Sequence, residues 1–519
     1  MNKFLLFLFP LLLVIGCKGW QGEKIPGFVY YRLNADPRTL DPAKITDVAG
    51  ARISAKIFNG LVKYNRDYKI TGDIAKKWAI DPDGRTYTFI LRKNVKFSNG
   101  REVTAHDFKY SFERVLSPEL RSPRSWLFDK ISGAKEFMRG DAKSLKGITL
   151  LNKYMLKITL DHPFSPFLDF LAQSNAYVVP KEEVEKWKED FSSHPVGTGP
   201  YFLEYWSRSQ KLSLLSNKDY FGEKPKIEGI CYRIIPDDLT ALIEFEVGNL
   251  DIIEVPQSEI KRYRKDKRWS SLMLSKTGLN IYYLGLNCKK MPFNKVNIRK
   301  ALNYAIDRKK ILETFYWGRG ILASGPVPPQ IKNYTLTGYE YNPTKAKHLL
   351  MESAFDFKTI VKIYISANTE ALDIVELIKY YLDKVGIMVR IVQLEWSSFL
   401  DAINKGEADA FWLSWWADYP NPENFLFPTF HSANWGAGGN RTFFKNQEFD
   451  RLIGKYQRIF NNQERENILK RLEDLIIRQA PWVFFWHRKD IYLRQPWLKN
   501  FNIYSLPQVD KGNRLYIEK

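Results

Sequence analysis

The sequence predicts an α/β fold with a parallel sheet, in a chain long enough for two or three domains. Its 519 residues exceed the length over which a single hydrophobic core usually grows. Residues 361–414 alternate apolar strands with helical stripes in a β-α-β-α-β order, which indicates parallel strands joined by crossover connections. Segments with a period of two precede this part and predict hairpins, as at Tyr154–Leu160.

The first 16 residues predict a secretory signal peptide. Lys3 is followed by an apolar run from Phe4 to Ile15 and then by Gly16-Cys17. A charged start, a short apolar region and a small residue at the cut are typical of such signals. The run is shorter than the roughly 20 residues that a membrane span needs. The rest of the chain is therefore expected to be a soluble body.

The first half of the chain predicts a strand at Phe28–Leu33 and a strand, turn and helix within residues 86–108. Three alternating residues of the second strand share one face: Tyr87, Phe89 and Leu91. Asn99-Gly100 then supplies the positive φ values of a tight turn. Thr104 is followed three residues later by Asp107, a spacing that predicts a capped helix start.

The second half contains the predicted parallel sheet. Strands are expected at Val361–Ile365, Ile387–Leu394 and Ala408–Trp415. The helix after the first strand has an apolar stripe that ends before Gly386, and a short helix follows Trp396 up to a break at Gly406. Ligands of such sheets lie beyond the carboxyl ends of the strands, which points to residues 413–419.

Asp418 lies in this segment and has two possible roles. It follows an apolar strand that ends at Trp416, so its carboxylate is expected at the mouth of a cleft walled by indoles. It also begins a turn in which Asn421 could cap the next helix with Pro422 at its first position, and Asp418 could simply cap that turn. Spacing alone favours the capping role.

Six short motifs occur along the chain in a fixed order. They are Thr39-Leu-Asp-Pro42, the stretch 86–108, Gly197-Thr-Gly-Pro-Tyr201, Pro292-Phe-Asn294 with Arg299 and Ala305-Ile-Asp-Arg308, Tyr341-Asn-Pro343 with Ala346, and Trp415-Trp-Ala-Asp-Tyr419. In this order they resemble the bacterial extracellular solute-binding proteins of the oligopeptide and dipeptide class. The resemblance covers nearly the whole mature chain.

The resemblance implies a two-lobed periplasmic-binding-protein fold of the Venus-flytrap type (class II, cluster C), with an extra small domain inserted in the first lobe. The implied boundaries are a signal peptide at 1–16, lobe I at 17–59, 195–279 and 497–519, the inserted domain at 60–194, and lobe II at 280–496. Leu13-Val-Ile-Gly-Cys17 also resembles the bacterial lipobox, in which the cysteine is lipidated. Lipidation of Cys17 would hold the protein on a membrane.

The resemblance also implies a function. The chain is expected to be the substrate-binding lipoprotein of an ABC importer, a monomer that takes up short peptides and delivers them to permease subunits. ATP hydrolysis would belong to separate subunits, since the sequence has no P-loop motif. No cofactor and no enzymatic activity are expected. The alternatives are another solute in the same fold (nickel chelate, haem, an opine or an oligosaccharide), or a surface adhesin or peptide-sensing receptor.

By resemblance, Asp418 holds the α-ammonium group of the peptide, which reverses the preference given by spacing. Main-chain hydrogen bonds from two strand edges would supply affinity that tolerates different peptide sequences. The remaining implied site residues are Ser414, Trp416, Thr46 and Asp47 at those edges, and Trp396 and Trp415 around side-chain pockets. Aromatic residues at such positions are otherwise ordinary core.

Two departures from the family leave the anchor for the ligand's carboxylate unassigned. Some members have an arginine where this chain has Phe411-Trp-Leu413, and some have a histidine where it has Ala367-Asn-Thr-Glu370. Arg441 is a conceivable substitute, although a surface role is favoured for it. The length of the bound peptide therefore stays open as well.

The net charge of +21 does not predict nucleic-acid binding. Lysine and arginine are spread along the chain, with the densest run at residues 261–268, and a secretion signal separates the protein from nucleic acid. The expected consequence is a salt-dependent attraction to anionic lipid or acidic ligands. The six histidines form no metal-binding motif. Pairing of Cys231 with Cys288 stays open, and two buried thiols are favoured.

Overall fold

A computed structural model describes residues 24–518. The predicted signal peptide, residues 1–16, and the predicted lipidation site, Cys17, lie outside these residues. The strands within them are β1 (Phe28–Leu33), β2 (Val62–Tyr64), β3 (Ile70–Gly72), β4 (Ala75–Ile80), β5 (Thr86–Leu91), β6 (Ile148–Asn152), β7 (Met155–Thr159), β8 (Tyr201–Ser207), β9 (Lys211–Ser216), β10 (Gly229–Ile234), β11 (Ile252–Glu254), β12 (Met273–Thr277), β13 (Asn280–Leu286), β14 (Gly320–Leu322), β15 (Ile360–Ser366), β16 (Met388–Leu394), β17 (Ala410–Trp416), β18 (Trp482–Arg494), β19 (Leu498–Lys499) and β20 (Tyr516–Ile517).

The α-helices of the same residues are α1 (Val48–Ile57), α2 (Ala105–Leu116), α3 (Ala134–Met138), α4 (Phe167–Leu171), α5 (Lys181–Trp187), α6 (Asp238–Glu246), α7 (Ile260–Lys265), α8 (Lys267–Ser270), α9 (Val296–Ala305), α10 (Arg308–Thr314), α11 (Pro343–Glu352), α12 (Thr369–Asp383), α13 (Trp396–Lys405), α14 (Glu423–Phe430), α15 (Gln447–Arg458) and α16 (Asn462–Gln479).

The largest sheet runs through both halves of the molecule in the order β16-β15-β17-β13-β18-β11-β1-β10-β9-β8, with β12 and β14 also paired to β18. The long strand β18 joins the halves. Its residues 482–486 pair with β13, while residues 489–494 pair with β11 and β12. The predicted end of lobe II at residue 496 thus lies just beyond a strand that belongs to both halves.

The parallel part of this sheet confirms the pattern predicted for residues 361–414. β15 pairs in parallel with β16 and with the start of β17, and α12 and α13 form the crossovers. Gly386 and Gly406 follow these helices with φ values of +88° and +76°, the left-handed conformation that glycine adopts most easily. The loop after β17 therefore lies at the carboxyl end of the sheet.

A separate antiparallel sheet of order β4-β5-β7-β6 lies within the segment predicted as the inserted domain. Gly100 has a φ of +90° in the predicted turn, and the Asp107 carboxylate accepts a hydrogen bond from the Thr104 N–H at 2.8 Å. The three predicted inward residues of β5 are fully buried or nearly so: Tyr87, Phe89 and Leu91. The apolar core of this domain continues into residues of α14, α15 and α16, so the domain also packs on the second half of the chain.

The two cysteines among the described residues are unpaired; Cys231 is buried and Cys288 is half-buried. Burial raises the pKa of each thiol to about 11. Cys231 therefore agrees with the favoured buried thiol, while Cys288 does so only in part.

Candidate functional site

The cleft between the two halves is crossed by β18, and Asn280 fixes the backbone at this crossing. Its side chain accepts a hydrogen bond from the Arg488 N–H at 2.6 Å and donates one to the Arg488 carbonyl at 3.2 Å. His487, the residue before, contacts the Asn280 carbonyl through Nδ1 at 2.5 Å. Burial lowers the pKa of His487 to about 4, so this imidazole is neutral at physiological pH.

One cavity of the cleft, of about 170 Å³, brings together four of the predicted site residues. We call it the Asp418 cavity. Its walls include Thr46, Asp47, Trp416 and Asp418. Arg124, from the loop after α2, also lines this cavity and was not among the predicted site residues. Residues far apart in the chain thus converge here from both sides of the cleft.

The Asp418 carboxylate points to the cleft and does not cap the turn. Within residues 24–518, no backbone N–H donates to it; its partner is the Arg124 guanidinium, with Nη1 3.5 Å from Oδ1. The turn is held instead by the Asn424 side chain, which accepts from the Asp418 N–H at 3.0 Å. Asn421 accepts from the N–H of Glu423, the first residue of α14. The Asp418 side chain is 40% exposed, which leaves it accessible to a cationic group.

Asp47 supplies a second carboxylate to the Asp418 cavity. It is the N-cap of α1, and its Oδ1 accepts a hydrogen bond from the Gly50 N–H at 2.8 Å. Its Oδ2 is buried without a hydrogen-bond partner in the described structure. A buried carboxylate oxygen without a donor is costly. The cavity therefore holds two carboxylates against the single guanidinium of Arg124, and favours a positively charged group.

β17 leads to this cavity with one edge open. β13 covers one edge from Ala410 to Trp416, whereas β15 covers the other only at Ala410 and Phe411. The Ala417 N–H bonds to the Leu279 carbonyl on the β13 side. Because successive residues of a strand direct their backbone groups to opposite edges, those of Ser414 and Trp416 face the open edge.

The predicted aromatic residues occupy three different environments. Trp416 is 38% exposed, and its indole donates a hydrogen bond to the Ser414 hydroxyl at 3.1 Å. Trp415 packs against the apolar core, with a buried indole N–H that has no partner within residues 24–518. Trp396 begins α13 and is 53% exposed, with its ring centre 5.9 Å from that of Phe399. Trp416 lines the Asp418 cavity, and neither Trp415 nor Trp396 does.

A second cavity, of about 440 Å³, lies beside the first, and Val48 contributes to the walls of both. We call it the arginine cavity, because four guanidinium groups and three carboxylates line it. The lining charges are Arg32, Arg52, Arg319, Arg488, Asp238, Glu254 and Glu370. The two cavities are connected in a further way, since the Arg488 guanidinium lies 4.8 Å from the ring centre of Trp416.

Two arginines of this cavity carried a signal in the sequence, Arg32 inside the otherwise apolar strand β1 and Arg488 inside β18. Arg488 belongs to a charged group, Arg488-Lys-Asp490, inside the otherwise apolar strand β18. Charges in a buried strand are unusual unless they are paired or functional. Arg52, Arg124 and Arg319 lie in segments where an arginine is unremarkable. Arg441, the conceivable carboxylate anchor, bonds Asn404 at 2.9 Å and lines neither cavity.

The loop after Asp418 is also tied to the inserted domain. The Asn421 side chain donates to the Asp169 carboxylate at 2.9 Å, and the rings of Tyr419 and Phe170 pack with centres 5.2 Å apart. The Tyr64 hydroxyl bonds the same carboxylate at 3.2 Å. Burial raises the pKa of Asp169 to about 6, although the bonds from Asn421 and Tyr64 lower it.

Two broader searches cover residues 24–518. None of their helices combines the length and apolar character needed to cross a membrane. No group of three or more histidine, cysteine, aspartate or glutamate side chains in this part of the chain is arranged to hold a metal ion.

Comparison with known proteins places this architecture in a family. The model for bacterial extracellular solute-binding proteins, family 5 (middle), matches residues 69–437. Heme-binding protein A of Haemophilus influenzae is 30% identical over 481 residues, covering 88% of this chain and 86% of that protein. Relatives of this kind are binding proteins associated with ABC transporters and not enzymes.

Two solved structures confirm the predicted two-lobed α/β fold. HbpA2 from Haemophilus parasuis has a TM-score of 0.83 at 26% identity, covering 95% of this chain and all of that one. The periplasmic binding protein DppA from Helicobacter pylori, in complex with the peptide STSA, has a TM-score of 0.77 at 28% identity, covering 95% and 98% of the two chains. The chain is therefore a member of the bacterial extracellular solute-binding proteins, family 5, with the two-lobed fold of the periplasmic binding proteins.

Proposed function

We propose that this protein captures short peptides by their backbone and α-ammonium group and delivers them to the permease of an ABC importer. The observation that carries the proposal is the open edge of β17, which ends at the Asp418 carboxylate. An extended peptide can pair with the backbone groups of Ser414 and Trp416 whatever its side chains are. Its N-terminal ammonium then reaches the carboxylates of Asp418 and Asp47.

Arg124 sets the electrostatic balance of this amino-terminal site. Its guanidinium is 3.5 Å from Asp418, longer than the 2.7–2.9 Å, approximately, of a strong charge-assisted bond. An incoming ammonium can therefore take the Asp418 oxygens without breaking a close pair. Asp47 Oδ2 offers a further acceptor. A neutral or anionic solute would leave Arg124 as the one cation facing two carboxylates in the described cavity, which is why we favour peptides over the other solutes.

Ligand binding would be coupled to closure of the two lobes. The proposed contacts come from Thr46 and Asp47 on one side and from Ser414–Trp416 and Asp418 on the other. A ligand that touches both sides stabilises the closed form, by as much as its affinities for the two forms differ. We further propose that the chain acts as a monomer, catalyses no reaction, and is anchored to the outer face of a bacterial membrane through lipidated Cys17.

The experiment is to release small molecules from the purified, denatured protein, identify them by mass spectrometry, and measure binding of the same species by calorimetry. Peptides are expected, and Asp418→Asn should weaken their binding by tenfold to a hundredfold, roughly the value of a hydrogen bond to a charged group. N-acetylation of the peptide should cause a similar loss in the wild type and no further loss in the variant.

Asp401→Asn is the matched control, because Asp401 is an exposed aspartate on α13 that pairs with Lys405. It should bind as the wild type does. A released molecule that is not a peptide, or equal binding of the peptide by wild type and Asp418→Asn, would contradict the proposed function.

A further inference from the structure

We propose that the arginine cavity binds the terminal carboxylate of the peptide, with Arg52 as its chief anchor. The inference rests on the proposed function. It adds the direction of the bound peptide, with the carboxyl end in the arginine cavity, and it makes the separation of the two cavities the limit on peptide length. The arginine cavity and the Asp418 cavity would then hold the two charged ends of one zwitterionic ligand on either side of Val48.

Arg52 is the arginine of this cavity without a close ion pair, although its guanidinium interacts with Glu254 and with the Tyr492 hydroxyl. It lies one turn after Val48 on α1 and makes no ion pair with any described residue. The three carboxylates of the cavity have other partners. Asp238 lies 2.7 Å from Arg32, and Glu254 pairs with Arg319 and Arg488. Glu370 accepts a hydrogen bond from the Tyr316 hydroxyl.

Arg319 and Arg488 also keep donors for an anion. Both guanidinium groups approach the same Glu254 oxygen, but at 3.4 Å and 3.7 Å, which is longer than a strong guanidinium–carboxylate bond. The Arg488 Nε is buried without a partner within residues 24–518. The Arg319 side chain is only 4% exposed, so its charge is poorly screened by water. Arg488 also lies 3.3 Å from Asp490, and Arg319 donates to the Gln257 side chain at 3.2 Å. A carboxylate placed between these groups and Arg52 would add a partner for Arg488 Nε and a second anion for the three guanidinium groups.

The placement of the three arginines links the carboxylate to closure. Arg52 belongs to α1, Arg319 precedes β14 on the other side of the cleft, and Arg488 lies where β18 crosses between the halves. An anion bound by all three therefore bridges both lobes and the strand that connects them. Since the neighbouring cavity has an excess of carboxylates, a peptide bound backwards would meet like charges at both ends.

The test measures binding of di- to penta-alanine peptides by calorimetry, each with a free carboxyl group or as the carboxamide, using the full chain. We expect one length to bind best, and its carboxamide to bind tenfold to a hundredfold more weakly. Arg52→Gln should lower affinity for the free acid by the same factor and leave the carboxamide unchanged. Arg451→Gln is the control, because Arg451 is an exposed arginine of α15, and should change neither.

Arg52→Lys keeps the positive charge and guards against a folding defect; it should retain the preference for the free acid. Equal binding of acid and carboxamide by the wild type, with Asp418→Asn still weakening both, would overturn the carboxylate site and leave the proposed function standing. Equal weakening of acid and carboxamide by Arg52→Gln would also overturn it, since charge recognition would not be the cause. If no peptide binds the wild type, the proposed function fails and this inference with it.

Discussion

At the scale of single residues, the cleft is marked by buried polar atoms without partners. Asp47 Oδ2, the Tyr31 hydroxyl, Gln257 Nε2 and Arg488 Nε belong to this group within residues 24–518, and their residues line one or other of the two cavities. Most buried polar atoms in folded proteins are hydrogen-bonded. Their concentration near the two cavities fits a site that is completed by a ligand.

Asp418 and Thr46 could be predicted as cleft residues from the family resemblance, and both line the Asp418 cavity. Arg52 and Arg124 could not. An arginine on a helix or in a loop is ordinarily a surface residue, and only the tertiary structure brings these two guanidinium groups to the cleft. The resemblance therefore predicted the carboxylates of the Asp418 cavity, while the arginines of both cavities are brought together by contacts between distant segments.

Asp169 predicts a pH dependence of stability. Its pKa is about 6 in the folded chain, against an ordinary value of 3.8. Between these values the folded state binds more protons than the unfolded state, so the free energy of unfolding should fall as the pH rises from 3.8 to about 6. The contribution of this group is on the order of 3 kcal/mol. Urea unfolding at pH 4 to 7 should show this fall for the wild type.

Asp169→Asn should remove that part of the slope, whereas Asp67→Asn, at an exposed turn after β2, should keep it. The assignment to Asp169 would be wrong if the curves of wild type and Asp169→Asn stayed parallel over this range. Other titrating groups act on all three proteins, so only differences between the curves are interpreted.

At the scale of elements, local sequence signals were enough to predict helices and strands whose form is determined within a short segment. The alternation in β15, the stripe of α12 and the glycine after it predicted a β-α unit that the structure contains nearly residue for residue. The length and role of β18 were not predicted. Its pattern of thirteen residues gives no sign that its two ends pair in different halves, because strand partners are set by the rest of the fold.

The Gly197-Thr-Gly-Pro motif allows close packing of two segments, and Gly199→Ala tests this. A Cβ at Gly199 would lie 2.1 Å from the Lys56 carbonyl oxygen at the end of α1. Backbone atoms must shift to relieve such a contact, so we expect a loss of about 3 kcal/mol or more in the free energy of unfolding. Urea denaturation monitored by circular dichroism measures the loss.

Gly454→Ala is the matched substitution. A Cβ there has open space within 4 Å, and Gly454 lies inside α15. Alanine should stabilise this helix by about 0.5–1 kcal/mol. Similar effects of the two substitutions would show that close approach at Gly199 is not what the motif provides.

At the scale of the whole molecule, length and composition bear on the number of domains and on the distribution of charge, but not on how the inserted domain packs. The size of the chain predicted several domains, and the spread of its lysine and arginine did not predict nucleic-acid binding. The inserted domain was expected to accompany the first lobe. In the structure its core also reaches α14, α15 and α16 of the second half, because aromatic residues on both sides, such as Phe170 and Tyr419, meet across the boundary.

The shared strand β18 has a consequence for how the molecule melts. It pairs with β11 and β12 in one half and with β13 and β14 in the other. Unfolding of either half would break hydrogen bonds along one side or end of β18, although this strand is also part of the half that stays folded. Differential scanning calorimetry of the chain without peptide should therefore give one heat-absorption peak, with equal calorimetric and van't Hoff enthalpies. Two resolved peaks would mean that the halves are thermodynamically independent, and that β18 connects them as a linker and not as common structure.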